Sequence, residues 1–187
     1  MKQIITQHGW GLNKYFWDDY KVDFLKNNWH WQDNERGYFS TNNYQAKWIK
    51  SESKKEIRMT LCHSFGFHLM QKKILREATH IVLINSFNNF VPLSNKRNFI
   101  LRSLKRMERK IIKDEHKDML KEFINRSFMP NHMNNSFKNI FYKSLDSLNK
   151  TLLLSDLKQL YINRDFPVFL RKDCKIIFVT THNFFMI

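Results

Sequence analysis

The chain has 187 residues, 42% hydrophobic and 15% aromatic, enough for one domain with a core and too apolar for a disordered chain. No apolar run approaches the roughly 20 residues of a membrane-spanning helix, the N-terminus lacks the pattern of a signal peptide, and Cys62 and Cys174 make no disulfide framework, so a cytoplasmic protein is expected. The formal net charge of +15 admits an acidic partner, a nucleic acid or an anionic membrane, although Lys is abundant together with Asn, Ile and Phe, all with AT-rich codons, so most of the charge reads as composition on a solvated surface and the rest as an acidic partner.

In chain order, "KQIITQ" (2–7) reads as a strand and "HGWG" (8–11) as a turn. "NKYFWDDYKVDFLKN" (13–27) reads as a helix, "WHWQDNERGYF" (29–39) as a strand running into a loop, and "NNYQAKWIKS" (42–51) as a short helix. "EIRMTLCH" (56–63) is a strand by its apolar and β-branched content, "FGFHLMQKKILREA" (65–78) a helix, and "THIVLINSF" (79–87) a buried strand. From Ser94 to about Ile162 the pattern is helical throughout. In "KRNFILRSLKRMERKII" (96–112), Ile100, Leu104, Met107 and Ile111 line one face, with Arg and Lys around the rest. "CKIIFVTT" (174–181) returns as a strand. Strands alternating with helices imply an α/β fold with a parallel sheet. The expected organisation is a first part of the core over 1–93, a helical cap over 94–166 and a return strand of the core over 167–187.

Two short motifs fall at strand ends. In "CHSFG" (62–66) a serine occupies the turn from a strand into a helix, the setting in which G-x-S-x-G presents a nucleophile. Gly66 fits that pattern, and Cys62 replaces the first glycine with another small residue. In "HGWG" the turn after the first strand is placed to aim a backbone N–H at a carbonyl oxygen. With the N–H of Phe65 it would form a two-donor oxyanion hole.

"HGWG", then a strand and "HSFG", then a helical cap, is an order that resembles the α/β-hydrolase superfamily. Within it, the tryptophan of "HGWGLNKYFW" resembles the biotin-pathway carboxylesterases, which cleave the methyl ester of pimeloyl-acyl carrier protein. The resemblance runs over essentially the whole chain and is strongest over 3–17 and 60–85. It implies an α/β-hydrolase core with an inserted cap and a serine carboxylesterase acting in biotin synthesis. Ser64 matches the nucleophile, Trp10 and Phe65 match the oxyanion hole through their backbone N–H groups, and the Trp10 indole lines the acyl pocket. His63 matches the variable position before the nucleophile and His8 the oxyanion turn, so neither is the expected base. No metal or organic cofactor is implied. The substrate would be an acyl thioester or small ester, carried on an acidic acyl carrier protein that Arg102, Arg106 and Arg109 of the cap are placed to meet. No nucleic acid, membrane or second subunit is expected.

The pattern departs from the family at the C-terminus. The chain order Ser, Asp, His calls for an acid around Asn183 to Phe185 and a histidine one strand later, and neither is found. The C-terminus therefore reads as truncated, with the last strand and helix missing and a sheet edge left uncovered. Three readings follow: a damaged enzyme gene, a rearranged triad using His182, or an inactive hydrolase-like binding scaffold. A basic nucleic-acid-binding protein is a further alternative, disfavoured because the charges are spread and no reading helix is evident. In "DNERGYF", where the superfamily usually carries several glycines, Arg36 is a candidate contact for an anionic group.

Overall fold

The computed structural model describes residues 1–39, 43–50, 56–130, 132–162 and 169–180. They fall into two compact units. One comprises Met1–Arg36, Asn42–Ser86 and Pro167–Thr180, the other Gly37–Thr41, Phe87–Phe166 and Thr181–Ile187.

The first unit is built on a parallel sheet of β1 (Lys2–Gln7), β2 (Trp29–Asn34), β3 (Ile57–His63), β4 (His80–Ile84) and β5 (Lys175–Val179), in the order β2-β1-β3-β4-β5. Successive residues of a strand face opposite sides, and β1 is buried on both. Ile5 joins Cys62, Phe67, Ile74, Ile81 and Leu83 on one face. Ile4 joins Trp17, Trp31 and Leu61 on the other. This two-sided burial is what a central parallel strand requires, and it explains the adjacent isoleucines Ile4 and Ile5 at its middle.

Helix α1 (Asp18–Lys26) is preceded by a 3-10 turn at Lys14–Trp17, which together replace the single helix expected over 13–27. Two other elements differ from expectation. Residues 43–50 carry no helix, only an antiparallel bridge from Tyr44 to Glu35. Side-chain amides of the sheet satisfy this segment's backbone instead of a helical ladder. Asn34 Oδ1 accepts from the Ala46 N–H at 2.7 Å, and the Gln3 amide both donates to the Ile49 carbonyl and accepts from its N–H, each at 2.8 Å. The helix expected over 65–78 is two: α2 (Gly66–Leu69) and α3 (Lys72–Glu77), separated by Met70 and Gln71 with ψ of 135° at both.

The second unit contains α4 (Arg97–Ile112), α5 (His116–Ser127), α6 (Asn135–Ser144) and α7 (Lys150–Gln159). Helix α4 packs against α5 and α7. Its stripe of Ile100, Leu104, Met107 and Ile111 is buried, as are Leu120, Ile124, Phe141, Leu153 and Leu157. Asn134 and Asn149 cap α6 and α7, their side chains accepting from the N–H groups of Ser136 and Leu152. Residues 37–39 belong to this unit, although the sequence pattern attaches them to the preceding strand. The Tyr38 hydroxyl donates to Asp156 Oδ2 at 2.7 Å, the Asn149 N–H donates to the Tyr38 carbonyl at 2.6 Å, and the Ser147 hydroxyl donates to the Phe39 carbonyl at 2.7 Å.

Among the described residues no helix is long and apolar enough to cross a membrane. Strand β5 forms one edge of the sheet, with Ile177, Phe178 and Val179 exposed.

Candidate active site

The sheet register brings the strand ends into line. Gln7 pairs with Asn34 on one side and Cys62 on the other, His63 pairs with Ile84, and Ile84 pairs with Val179. From β1 the chain moves outward to β2, then crosses back to β3 on the other side. Strand order therefore reverses between β1 and β3, the place where open α/β sheets bind ligands beyond the carboxyl ends of their strands. "HGWG" leaves β1 there, and Ser64 leaves β3 beside it.

Ser64 has φ of 52°, in the left-handed region that a non-glycine residue adopts only at a cost of about 1–3 kcal/mol. Its N–H donates to the Ile84 carbonyl at 2.9 Å, tying the turn to β4. Two glycines make the turn possible. A Cβ on Gly66 would overlap the Gln7 carbonyl oxygen and come within 2.9 Å of that of His8. A Cβ on Gly9 would lie 3.2 Å from the Cβ of Ser64 and 3.2 Å from the His63 carbonyl oxygen. Gly66 thus lets the serine turn press against the end of β1, and Gly9 lets the next turn press against the serine. Trp10 and Phe65, the residues expected to supply oxyanion N–H groups, flank this contact and are buried. Because α2 has only four residues, the aligned peptide dipoles behind Ser64 are fewer than a 14-residue helix would supply.

His63 stacks on Phe16, with ring centroids 4.6 Å apart, and its Nδ1 is buried with no hydrogen-bond partner among the described residues. Burial, with His8 nearby, pushes its pKa down to about 4, so the ring is neutral around Ser64 at ordinary pH. Burial pushes the Cys62 thiol up to about 12, which makes it a packing residue and not a nucleophile.

His8 is fully buried. Its Nδ1 lies 3.0 Å from the Gly9 carbonyl, and its Nε2 lies 3.2 Å from Glu35 Oε1 and 3.2 Å from the Arg36 backbone N–H. The other Glu35 oxygen accepts from the Lys14 N–H at 3.0 Å. A neighbouring network centres on Asp33, whose Oδ1 accepts from Thr6 at 2.8 Å and from the Trp31 indole at 2.6 Å. Sequence reasoning singled out Arg36 in this loop and passed over Glu35. The one available signal was an acidic residue directly after a strand that runs parallel to the "HGWG" strand.

Arg102, Arg106 and Arg109 are exposed on α4, within the helical unit, and make no ion pair among the described residues. His182 and the Asn183 to Phe185 segment, where a base and an acid were sought, lie outside the described residues. Among the described residues, no cluster of three or more His, Cys, Asp or Glu side chains is arranged to hold a metal ion.

The fold is shared with solved structures. An esterase from Exiguobacterium antarcticum superposes with a TM-score of 0.63 at 13% identity, over 88% of this chain and 67% of that one. A bromoperoxidase from Bacillus anthracis superposes with a TM-score of 0.64 at 10% identity, over 96% of this chain and 83% of that one. Both are α/β-hydrolase fold members, and the protein described here has the α/β-hydrolase fold. No family model and no curated protein matches its sequence.

Proposed function

We propose that the protein is a serine hydrolase of carboxylic esters, with Ser64 as nucleophile and the Trp10 and Phe65 backbone N–H groups as oxyanion donors. The observation that carries this reading is the left-handed Ser64 wedged against Gly9. A non-glycine residue is held in that conformation where the surroundings over-determine it, which is common at reactive turns. In the reaction, Ser64 Oγ attacks the ester carbonyl carbon as its proton is removed. The carbonyl oxygen takes the negative charge, the alcohol departs with a proton, and water then releases the acyl group from Ser64.

The substrate we favour is a methyl ester of an acyl chain on acyl carrier protein, as in the pimeloyl esterases of biotin synthesis. The exposed Arg102, Arg106 and Arg109 of α4 support an acidic, macromolecular substrate, through attraction that salt would weaken. A second reading, a binding scaffold with the hydrolase fold, is favoured by one observation. Among the described residues Ser64 is hydrogen-bonded only through its N–H, and no histidine bonds to its hydroxyl.

Labelling with a fluorophosphonate and turnover of p-nitrophenyl butyrate separate the two. The ester-hydrolase reading expects wild type to be labelled and Ser64→Ala not. It also expects turnover by wild type that Ser64→Ala abolishes. A wild type that is neither labelled nor active leaves the scaffold reading. Binding of acyl carrier protein, compared with a variant carrying Glu at 102, 106 and 109 at low and high salt, tests the substrate class. Equal binding by both removes the role of α4.

A further inference from the structure

An oxyanion turn is useful only if it is rigid, because a misplacement of about 1 Å at a reacting centre costs on the order of 10²-fold in rate. Here the turn is the five residues Gly9 to Asn13, between β1 and the 3-10 turn that starts at Lys14. Within it one backbone bond closes the loop, from the Leu12 N–H to the Gly9 carbonyl at 3.3 Å. The residue in the capping position, Asn13, makes no capping bond, and its side-chain oxygen is buried with no partner among the described residues. The first amide of the 3-10 turn, one of the donors a helix start leaves unsatisfied, is accepted by Glu35 instead, at 3.0 Å.

The same carboxylate reaches the other end of the turn. Its Oε1 lies 3.2 Å from Nε2 of the fully buried His8, whose Nδ1 lies 3.0 Å from the Gly9 carbonyl. With Nδ1 protonated, the ring donates to that carbonyl and accepts at Nε2 from the Arg36 N–H. With Nε2 protonated, it donates to Glu35. Either tautomer pins the ring between Gly9 and the segment holding Glu35. Glu35 itself is fixed. It follows β2, whose last residue pairs with Gln7, its N–H donates to the Tyr44 carbonyl at 2.8 Å, and its side chain is 11% exposed.

We propose that Glu35 is a positioning residue for the oxyanion turn, its two carboxylate oxygens bracing His8 at one end of Gly9–Asn13 and the Lys14 N–H at the other. The proposal rests on the ester-hydrolase reading above. Its physical content is separate: with both ends braced, Gly9 stays packed on Ser64 and the Trp10 amide keeps one position.

The test compares wild type with Glu35→Ala, Glu35→Gln and Lys14→Pro. It follows amide hydrogen exchange over residues 9–13, the rate of Ser64 phosphonylation, and kcat and KM on p-nitrophenyl butyrate. Lys14→Pro removes the donated N–H together with a side chain whose ammonium lies over the Tyr15 ring, and Lys14→Ala, which keeps the N–H, controls for that side chain. Proline suits the first helical position, and Asn13 before it is extended at φ −134° and ψ 176°, as a residue preceding proline must be. Glu35→Ala is expected to speed exchange in 9–13 and to slow phosphonylation and kcat about tenfold with KM within about twofold, the signature of lost positioning. Lys14→Pro moves the same quantities in the same direction, and decides the matter if Glu35→Ala does not fold. Glu35→Gln, which keeps an acceptor for Lys14, recovers most of both. Unchanged exchange in Glu35→Ala or Lys14→Pro overturns the proposal, as does a loss seen equally in KM or in unfolding stability alone. If wild type is never labelled at Ser64, the ester-hydrolase reading fails, while the exchange of residues 9–13 still shows whether Glu35 braces the turn.

Discussion

Gly9 and Gly66 are crowded to different degrees, and the difference separates folding from chemistry. At Gly66 an added methyl meets two backbone oxygens of the central strand's end, neither of which is free to move. Gly66→Ala should cost about 2 kcal/mol or more, as overpacking does in a rigid site. At Gly9 the neighbours stand at 3.1–3.2 Å and include the His63 ring and the Ser64 side chain, which yield more easily. Gly9→Ala should cost about 1 kcal/mol yet slow Ser64 labelling more per unit of lost stability. Urea midpoints read with labelling rates check both; equal urea midpoints would contradict the packing described. His63 gives a pH dependence of known sign. Unfolded, its ring takes a proton near pH 6.5, and folded only near about 4. The unfolded state therefore binds more protons between these values, and stability falls as pH drops through that window, by at most about 3 kcal/mol. In His63→Phe, which keeps the stack on Phe16, the loss between pH 6.5 and 4 should shrink. An unchanged slope would mean other groups carry it.

The two helices after Ser64 show what a periodic pattern does and does not fix. Phe67, Met70, Ile74 and Leu75 fall at helical spacing and all enter one core cluster, so the sequence reads as one helix. No proline or glycine marks the break. It is imposed by tertiary contacts: Asn34 Nδ2 donates to Met70 Sδ at 3.2 Å, and Gln71 bonds to Gln45. Met70 and Gln71 have φ of −65° and −59° with ψ of 135°, the conformation proline and its predecessor prefer. Gln71→Pro should therefore be neutral or stabilise by up to about 1 kcal/mol. In a continuous helix the same change would cost about 3 kcal/mol. A loss of unfolding free energy of the latter size would argue for the unbroken helix. The 43–50 segment failed to read for a related reason. Its hydrogen bonds go to Gln3, Gln32 and Asn34, side chains that propensity over a local window never includes.

For the whole molecule, the alternation of strand and helix patterns was enough to give a parallel sheet, and two short motifs at strand ends were enough to locate the serine turn. Strand order was not legible, because it depends on pairings between segments far apart in the chain. Nor was the place of Tyr38, whose partner Asp156 lies 118 residues away. Glu35 was missed on the same ground: its significance is set by His8 and Lys14, which only the fold brings to it.

The sheet order also sets a timetable for synthesis. Strands β1 to β4 are complete by Ile84, while β5, which pairs along β4, begins only at Lys175. At roughly 5–20 residues per second the ribosome takes about 5–20 s to make what lies between. Throughout that interval the outer edge of β4, with Ile81, Val82 and Leu83, has no strand beside it, an open template for another chain. The nascent protein should therefore need shielding longest in the middle of its translation. Ribosome-bound chains arrested near residue 150 should bind a chaperone holdase or a hydrophobic dye more strongly than chains arrested well past Val179. Equal binding at both lengths would show that β4 is protected before its neighbour arrives.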